Sequence, residues 1–118
     1  MLPKKYRLKK KSAFNATYRT GTSFHKDGIT LFCGRKKTQE IPTKIGFVVS
    51  KKIHKRAVKR NKIKRLMREC VRIYIKENSD FNTKYLSLVF VASTKLLNKN
   101  FAEINLGINK LMGIVNND

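Results

Sequence analysis

Residues 55–70, KRAVKRNKIKRLMREC, decide how the chain folds, because two patterns run through them at once. Half of these residues are Lys or Arg and only Glu69 is acidic, a composition typical of a disordered, solvated tail. Apolar residues nevertheless recur at helical spacing, in a stripe that continues to residue 74. We therefore predict a helix over residues 57–77 whose apolar stripe packs on a sheet. This stripe consists of Ile63, Leu66, Met67, Cys70, Val71 and Tyr74.

The charged side chains of the same helix are sorted onto a second stripe on the opposite side. At about 100° per residue, this stripe consists of Asn61, Lys64, Arg65, Arg68 and Arg72. A solvated face normally mixes signs, because like charges four residues apart destabilise a free helix. We interpret the stripe as a surface that binds a polyanion, with planar Arg side chains suited to phosphate. Its uncharged member, Asn61, either caps locally or hydrogen-bonds a sugar or base.

The first turn of this helix breaks the apolar pattern. Lys59 and Arg60 point where the apolar stripe should be, so either the helix starts there or its N-terminal end overhangs the sheet. Both arrangements place basic groups beside free backbone N–H groups, which suits phosphate binding. Four further basic residues enlarge the patch just upstream: Lys51, Lys52, Lys55 and Arg56.

The composition of the whole chain points to the same class of partner. Its 118 residues fit a single domain, 1–118, and a hydrophobic fraction of 41% supports a core of modest size. The net charge of +21 favours RNA, DNA or an anionic membrane. A membrane is the weakest of these, since the core requires the apolar face of the helix.

Nothing in the sequence indicates secretion. The first residues, MLPKKYRLKKK, lack the apolar stretch of a signal peptide, and no apolar run has transmembrane length. We therefore expect Cys33 and Cys70 to be reduced thiols of a cytoplasmic protein, with Cys70 in the core.

The remaining elements follow from turn residues, caps and apolar runs. In chain order we expect a basic arm over 1–11, a helix over 13–19 capped by Ser12, strands over 22–26, 28–33, 44–50 and 85–92, a last helix capped by Asn98 or Asn100 and ending near 112, and a frayed tail over 113–118. The segment 34–43 is the expected flexible loop. Together with the long helix, this order indicates an α+β or α/β sandwich of helices on one sheet.

Aromatic residues lie among the basic residues of the N-terminal half. Phe14 and Tyr18 share one face of the predicted first helix, at positions i and i+4. Rings beside a sheet can stack on unpaired bases, each stack being worth about 1–3 kcal/mol. From spacing alone, Phe14 and Tyr18 fit a base-stacking site and the core equally well, whereas Phe47 fits the core better.

No protein active site is evident in the sequence. The acidic residues are scattered, His25 and His54 are isolated, and there is no zinc-binding spacing and no phosphate-cradling Gly-rich loop. The residues alone therefore indicate a nucleic-acid-binding domain whose chemistry takes place elsewhere.

The segment 45–70, IGFVVSKKIHKRAVKRNKIKRLMREC, resembles the signature of the bacterial ribonuclease P protein subunit. That signature has a strand ending in Lys-Lys, a short crossover and an Arg-Asn helix of the form RNxxKRxxRE. RLKKKSAF at 7–14 and GTSF at 21–24 are similar to the family's N-terminal pattern, and the resemblance covers roughly residues 6–112. Every defining position of the helix is filled, by Arg60, Asn61, Lys64, Arg65, Arg68 and Glu69.

The resemblance implies an α+β fold, an α-β-β-β-α-β-α two-layer sandwich with helices packed on a four-stranded sheet. It also implies a left-handed βαβ crossover through the Arg-Asn helix, as in the ribosomal protein S5 domain 2-like fold. The family's protein joins a large catalytic RNA, and together they act as an endoribonuclease that removes the 5′ leader from precursor tRNA. The RNA carries the active site and binds most of the Mg²⁺, so no catalytic residue is expected in the protein, and the family's protein-bound metals are assigned to no residue of this sequence.

The family's binding residues carry over position by position. One departure is His54, which stands where many members have Gly, in a segment one residue longer, so the start of the helix is left open. We expect no strong protein oligomer. The cleft for the single-stranded leader is implied to comprise Phe14, Tyr18 and Phe32. The surface toward the catalytic RNA is implied to comprise Lys51, Lys52, Lys59, Arg60, Asn61, Lys64, Arg65, Arg68 and Arg72.

Two other functions compete with this interpretation. A structural RNA-binding protein of ribosomal type would use the same basic helix without contacts to a leader. A DNA-binding protein would place the helix in a major groove, but nothing in the sequence resembles a helix-turn-helix or a dimer seam.

Overall fold

The computed structural model describes residues 2–116, and residues 1, 117 and 118 lie outside that description. Short 3-10 turns at Lys4–Tyr6 and Thr94–Asn98 precede the first and last helices. The predicted α+β fold class is confirmed, including the weak first strand and the long helix over 57–77. Within the described residues the elements are α1 (Lys11–Arg19), β1 (Thr22–Lys26), β2 (Ile29–Cys33), β3 (Lys44–Val48), α2 (Ala57–Glu77), β4 (Ser87–Ala92) and α3 (Phe101–Val115).

The strands form one sheet in the order β1-β2-β4-β3. β1 pairs antiparallel with β2, and β2 with β4, whereas β3 and β4 run parallel and are joined by α2. The β1–β2 hairpin turns through Asp27 and Gly28, whose positive φ angles of 51° and 86° are those that a tight hairpin turn requires. Helix α2 is therefore the crossover between two neighbouring parallel strands, and its first turn follows the C-terminal end of β3.

The main core lies between one face of the sheet and helices α2 and α3. β4 is buried over nearly its whole length, as predicted for a central strand covered on both faces. The apolar stripe of α2 enters the core as predicted, with Leu66 and Tyr74 partly buried at its margin and four members fully buried: Ile63, Met67, Cys70 and Val71.

Helix α1 packs on the opposite face of the sheet. The hydroxyls of Thr17 and Ser87 lie 2.6 Å apart in a buried hydrogen bond, and the Phe14 ring covers Gly46. Gly46 faces away from the main core, because it alternates along β3 with the core residue Ile45. Both faces of the sheet are thus covered in part, and the sheet surface on either side of α1 is not covered by that helix.

The N-terminal segment packs on the sheet instead of extending as the basic arm that the sequence predicts. Leu2 is only 1% exposed. Arg7 forms an isolated parallel bridge with Ile45, and the Leu8 N–H donates to the Ile45 carbonyl at 2.9 Å. The difference arises because pairing with a distant strand edge leaves no local signature in a lysine-rich stretch.

The start of α1 also differs from the prediction. The helix begins at Lys11, and Lys10 is its N-cap residue, without a side-chain hydrogen bond. Ser12 therefore lies inside the first turn and is not the cap. Docking of the helix on the sheet outweighs the local preference for a Ser cap.

The last helix is longer than predicted. It runs through Val115, which is fully buried, so residues 113–115 are helical and not frayed. Asn100, and not Asn98, is its N-cap, and it shares a reciprocal capping box with Glu103.

Both cysteines are buried, which confirms the expectation for Cys70 in the core. Burial raises the pKa of the Cys70 thiol to about 11. In the described part of the chain, no helix combines the length and the apolar character needed to cross a bilayer.

Candidate nucleic-acid interface

The N-terminal end of α2 projects beyond the main core. No residue from 57 to 62 is buried, and Val58 is 77% exposed. Of the two arrangements that the sequence allowed, the helix therefore adopts the one in which it overhangs the sheet. The first N–H groups of a helix have no intrahelical acceptor, so this end presents them beside Lys59 and the exposed Lys51 and Lys52.

The turn that leads into α2 is fixed by His54 and Arg60. The Nδ1 atom of His54 accepts the backbone N–H of Arg56 at 3.1 Å. One guanidinium nitrogen of Arg60 donates to the carbonyls of His54 and Lys55, at 2.9 and 2.7 Å. Arg60 therefore shapes this surface as well as charging it, and the turn accommodates His54 through these contacts.

The predicted charged stripe continues along α2. Asn61 and Arg65 are exposed, whereas Arg68 is half-buried. The Arg68 guanidinium lies over the Phe47 ring, 5.9 Å from its centroid, and Phe47 stacks on Phe90 with centroids 5.6 Å apart and 13° between the planes. Phe47 thus contacts the core, as predicted, and also holds Arg68 in place.

Arg72, at the far end of the stripe, is paired within its own helix. Its Nε donates to the Glu69 carboxylate at 3.1 Å. The hydrogen bond from Arg72 holds the pKa of Glu69 below its ordinary value. Arg72 is therefore less free to pair with a phosphate than the other members of the stripe.

The three predicted leader-binding aromatic residues lie on one side of α1, against the sheet. Tyr18 meets Phe32 edge-to-face, with ring centroids 5.1 Å apart and 79° between the planes. Partial burial raises the pKa of the Tyr18 hydroxyl. Phe14 lies over Gly46, where an added Cβ would collide with its ring. The sequence reasoning missed Gly46, although a glycine inside a strand is a signal of such a close approach.

Two adjoining cavities of about 330 and 410 Å³ lie between α1 and α2 beside β3, and we name them together the α1–α2 cleft. Tyr18 lines one of them and Arg68 lines the other, and none of their lining residues is acidic. The cleft therefore brings together members of two residue sets that the sequence treated as separate sites. Both cavities are lined by Lys9, Phe14, Phe47 and Lys64.

Comparison with known proteins agrees with this geometry. A family model described as ribonuclease P matches residues 2–116. The chain belongs to the ribonuclease P protein family. The ribonuclease P protein component of Clostridium kluyveri is 35% identical over 112 residues, covering 91% of each chain. That of a Synechococcus strain is 31% identical over 114 residues, covering 95% of this chain and 83% of the relative. The ribonuclease P protein of Staphylococcus aureus superposes with a TM-score of 0.76 at 26% identity, covering 92% of this chain and 94% of that one.

Membership of the family makes this chain the protein subunit of ribonuclease P, a ribonucleoprotein in which it associates with the ribonuclease P RNA. A ribosomal type of structural RNA-binding protein is not favoured, since the matches to ribonuclease P proteins span nearly the whole chain. Residues 2–116 contain no group of three or more His, Cys, Asp or Glu side chains that could hold a metal ion.

Proposed function

We propose that this subunit binds the catalytic RNA through α2 and the single-stranded 5′ leader of precursor tRNA through the α1–α2 cleft. In this way it assists the endonucleolytic removal of the leader, which produces the mature 5′ end of the tRNA. The proposal is carried by one observation: a cleft without acidic residues is lined by aromatic residues of α1 and by Lys64 and Arg68 of α2. A single strand that enters it meets rings for its bases and cations for its phosphates.

For the catalytic RNA we assign the overhanging end of α2 and its charged stripe. Arg65 is the best candidate for a direct phosphate contact, because it is exposed and makes no side-chain hydrogen bond or ion pair with another described residue. Arg60 acts by holding the turn, and Arg72 is peripheral because Glu69 neutralises part of its charge. The other members of this surface are Lys51, Lys52, Lys59, Asn61, Lys64 and Arg68.

For the leader we assign Phe14, Tyr18 and Phe32. The edge-to-face pair of Tyr18 and Phe32 is fixed before any RNA arrives, so binding a base there costs little side-chain ordering. Phe14 is half-buried over Gly46 and continues this aromatic surface toward Lys64.

We further propose that the catalytic centre lies in the RNA, which also holds the Mg²⁺ on which hydrolysis depends. The described residues offer no cluster of metal ligands, so no chemical step is assigned to a protein side chain. The subunit is proposed to act as a monomer in the cytoplasm, whose reducing conditions suit its two buried thiols.

Reconstitution with a bacterial catalytic RNA tests the proposed function. At low Mg²⁺ the protein should stimulate cleavage of precursor tRNA, because its cations lower the repulsion between the two RNAs.

Arg65→Ala should weaken binding to the catalytic RNA and lower the slope of log affinity against log salt by about 0.9 for one lost phosphate contact. Arg72→Ala removes the same charge from a paired position and is the matched control, with a smaller change in slope.

The outcomes of this assay separate the parts of the proposal. Absence of stimulation at every protein concentration would reject the function as a whole. An unchanged salt slope for Arg65→Ala would reject only the phosphate contact of that residue.

Tyr18→Ala should weaken affinity for leader-bearing precursor and leave affinity for mature tRNA unchanged, and equal losses on both would reject the leader assignment.

A further inference from the structure

A second cleft, of about 610 Å³, lies on the side of α1 away from the aromatic residues. We name it the basic-rimmed cleft. Its apolar lining residues are Leu8, Ala13, Ala16 and Leu86. Its rim carries Arg19, Arg35 and Lys44, and none of its lining residues is acidic or aromatic.

The three cations of the rim are available to a ligand. Arg19, Arg35 and Lys44 are all exposed, and none of them makes a side-chain hydrogen bond or ion pair with another described residue. The backbones of two of them are held in place, because the Leu86 N–H donates to the Arg35 carbonyl at 2.8 Å and the Lys44 N–H donates to the Leu86 carbonyl at 3.2 Å. Arg35 and Lys44 therefore extend from fixed positions on either side of Leu86.

The depth of this cleft is set by how α1 docks on the sheet. The buried hydrogen bond between Thr17 and Ser87 holds the helix close to the sheet, and Ser87 fits because Gly34 has no side chain that would collide with it. Two of the α1 residues that line the cleft are alanines, whose small side chains leave space beside this point of contact. The space is thus a consequence of fixed packing and not of a mobile loop.

We propose that the basic-rimmed cleft binds the sugar-phosphate backbone of single-stranded RNA, so that α1 is a ridge with RNA contacts on both of its sides. A lining that contains cations and no acidic residue favours a polyanion, and its apolar residues suit the carbon faces of riboses. Because no aromatic ring lines this cleft, it contacts the backbone and not stacked bases, in contrast to the side of Tyr18 and Phe32. The assignment does not rest on the proposed function, since any single-stranded RNA can occupy such a cleft.

Binding of two fluorescein-labelled dodecamers tests this proposal, one an oligouridylate and the other of the same length but without bases. Arg35→Ala/Lys44→Ala should lower the salt slope by about 1.4 for both probes, since two phosphate contacts are lost from a single strand. Tyr18→Leu should weaken binding of the oligouridylate only. Lys76→Ala/Lys95→Ala removes the same net charge from exposed positions outside the cleft and is the matched control.

A variant that leaves the charge unchanged locates the effect. Ala16→Leu places a larger apolar side chain in the lining of the cleft and should weaken binding of both probes, with helix content checked by circular dichroism. Unchanged affinity for Ala16→Leu, or a slope for Arg35→Ala/Lys44→Ala equal to that of the control pair, would overturn the proposal. For Ala16→Leu or Arg35→Ala/Lys44→Ala, a loss confined to the base-bearing probe would also overturn it, and so would loss of binding to phosphatidylglycerol vesicles without loss of RNA binding.

Discussion

Gly46 has no side chain, and this sets the distance between α1 and the sheet. The Phe14 ring occupies the space that a Cβ would take, and the Cβ of Leu8 lies 3.3 Å from the same point. Because the Phe14 ring is half-buried against the sheet, either the ring or α1 itself has to shift before a Cβ fits at Gly46. One wall of the α1–α2 cleft therefore depends on this glycine.

We expect Gly46→Ala to destabilise the fold by about 1–3 kcal/mol, as overpacking of a close contact does. It should also weaken binding of leader-bearing precursor, because Phe14 and Tyr18 move together. Gly113→Ala is the control: nothing lies within 4 Å of its added Cβ, and it should stabilise α3 by about 0.4–1 kcal/mol. Urea unfolding measures both variants, and a Gly46→Ala protein as stable as wild type would contradict the account of the contact.

The buried Cys70 thiol should make stability depend on pH in the alkaline range. Burial, with a smaller contribution from the Glu69 charge, raises its pKa from 9.0 to about 11. The folded state therefore favours the protonated thiol, and this contribution is complete below pH about 9 and is lost as pH rises toward 11. The free energy of unfolding of wild type, relative to that of Cys70→Val, should fall between pH 8 and about pH 10.5. A constant difference between the two proteins would show that the pKa of the thiol is the same in the folded and the unfolded chain.

At the scale of elements, the strongly periodic segments were predictable and the ends were not. Helix α2 carries an apolar stripe from Ile63 to Tyr74, so its existence and its core-facing side follow from the sequence alone. The end of α3 does not, because its last turn is held by distant residues: the Asn116 side chain donates to the Tyr74 hydroxyl at 3.2 Å and accepts the Asn82 N–H at 3.1 Å. Local turn propensity at the C-terminus contains no information about such contacts.

The candidate site was predictable to the same extent. Residue type and spacing indicated Arg65 as a site candidate through the sorted charged stripe, but they left Tyr18 equally compatible with base stacking and with the core, and only the family resemblance implied its leader role. They could not show that Arg60 and Arg72 also bond within the protein, since these partners depend on the shape of a turn and on side-chain conformations. Residue type and spacing also could not show that the aromatic residues of α1 and the charged stripe of α2 meet in the α1–α2 cleft, because this results from tertiary packing.

The capping box of α3 gives a test at this scale. Asn100→Ala removes the acceptor of the Glu103 N–H, which now lies 2.9 Å from the Asn100 side-chain oxygen. We expect it to lower the free energy of unfolding by about 0.5–2 kcal/mol. Asn109→Ala, at an exposed position inside the same helix, should be neutral or slightly stabilising. Equal midpoints of chemical denaturation for the two variants would exclude a role for the cap.

For the whole molecule, the dominant quantity is charge. The net charge of +21 remains after all seven acidic residues are counted, and in the part of the chain that the structure describes the ion pairs are Arg72 with Glu69 and Lys110 with Asp27. Self-repulsion favours the expanded, unfolded chain, and a bound polyanion relieves it. Folding and RNA binding should therefore reinforce each other.

Stability should accordingly rise with salt. Between about 0.01 and 0.15 M ionic strength the Debye length falls from about 30 to 8 Å, so repulsion across the domain is largely screened. The thermal midpoint should increase over this range in sodium chloride, and further in sodium sulfate at the same ionic strength if anions also bind. A midpoint independent of both salts would show that repulsion does not limit the fold.

The short bridge between Arg7 and Ile45 has a consequence for handling the protein. β3 is an outer strand, and the bare backbone of such a strand is a template for pairing with another chain. The Leu8 N–H donates to the outward-facing carbonyl of Ile45, so the lysine-rich N-terminal segment blocks this position of the strand from pairing with another chain. A truncation that deletes this segment exposes the edge of β3. An affinity tag fused ahead of the buried Leu2 disturbs the packing of Leu2 in the core.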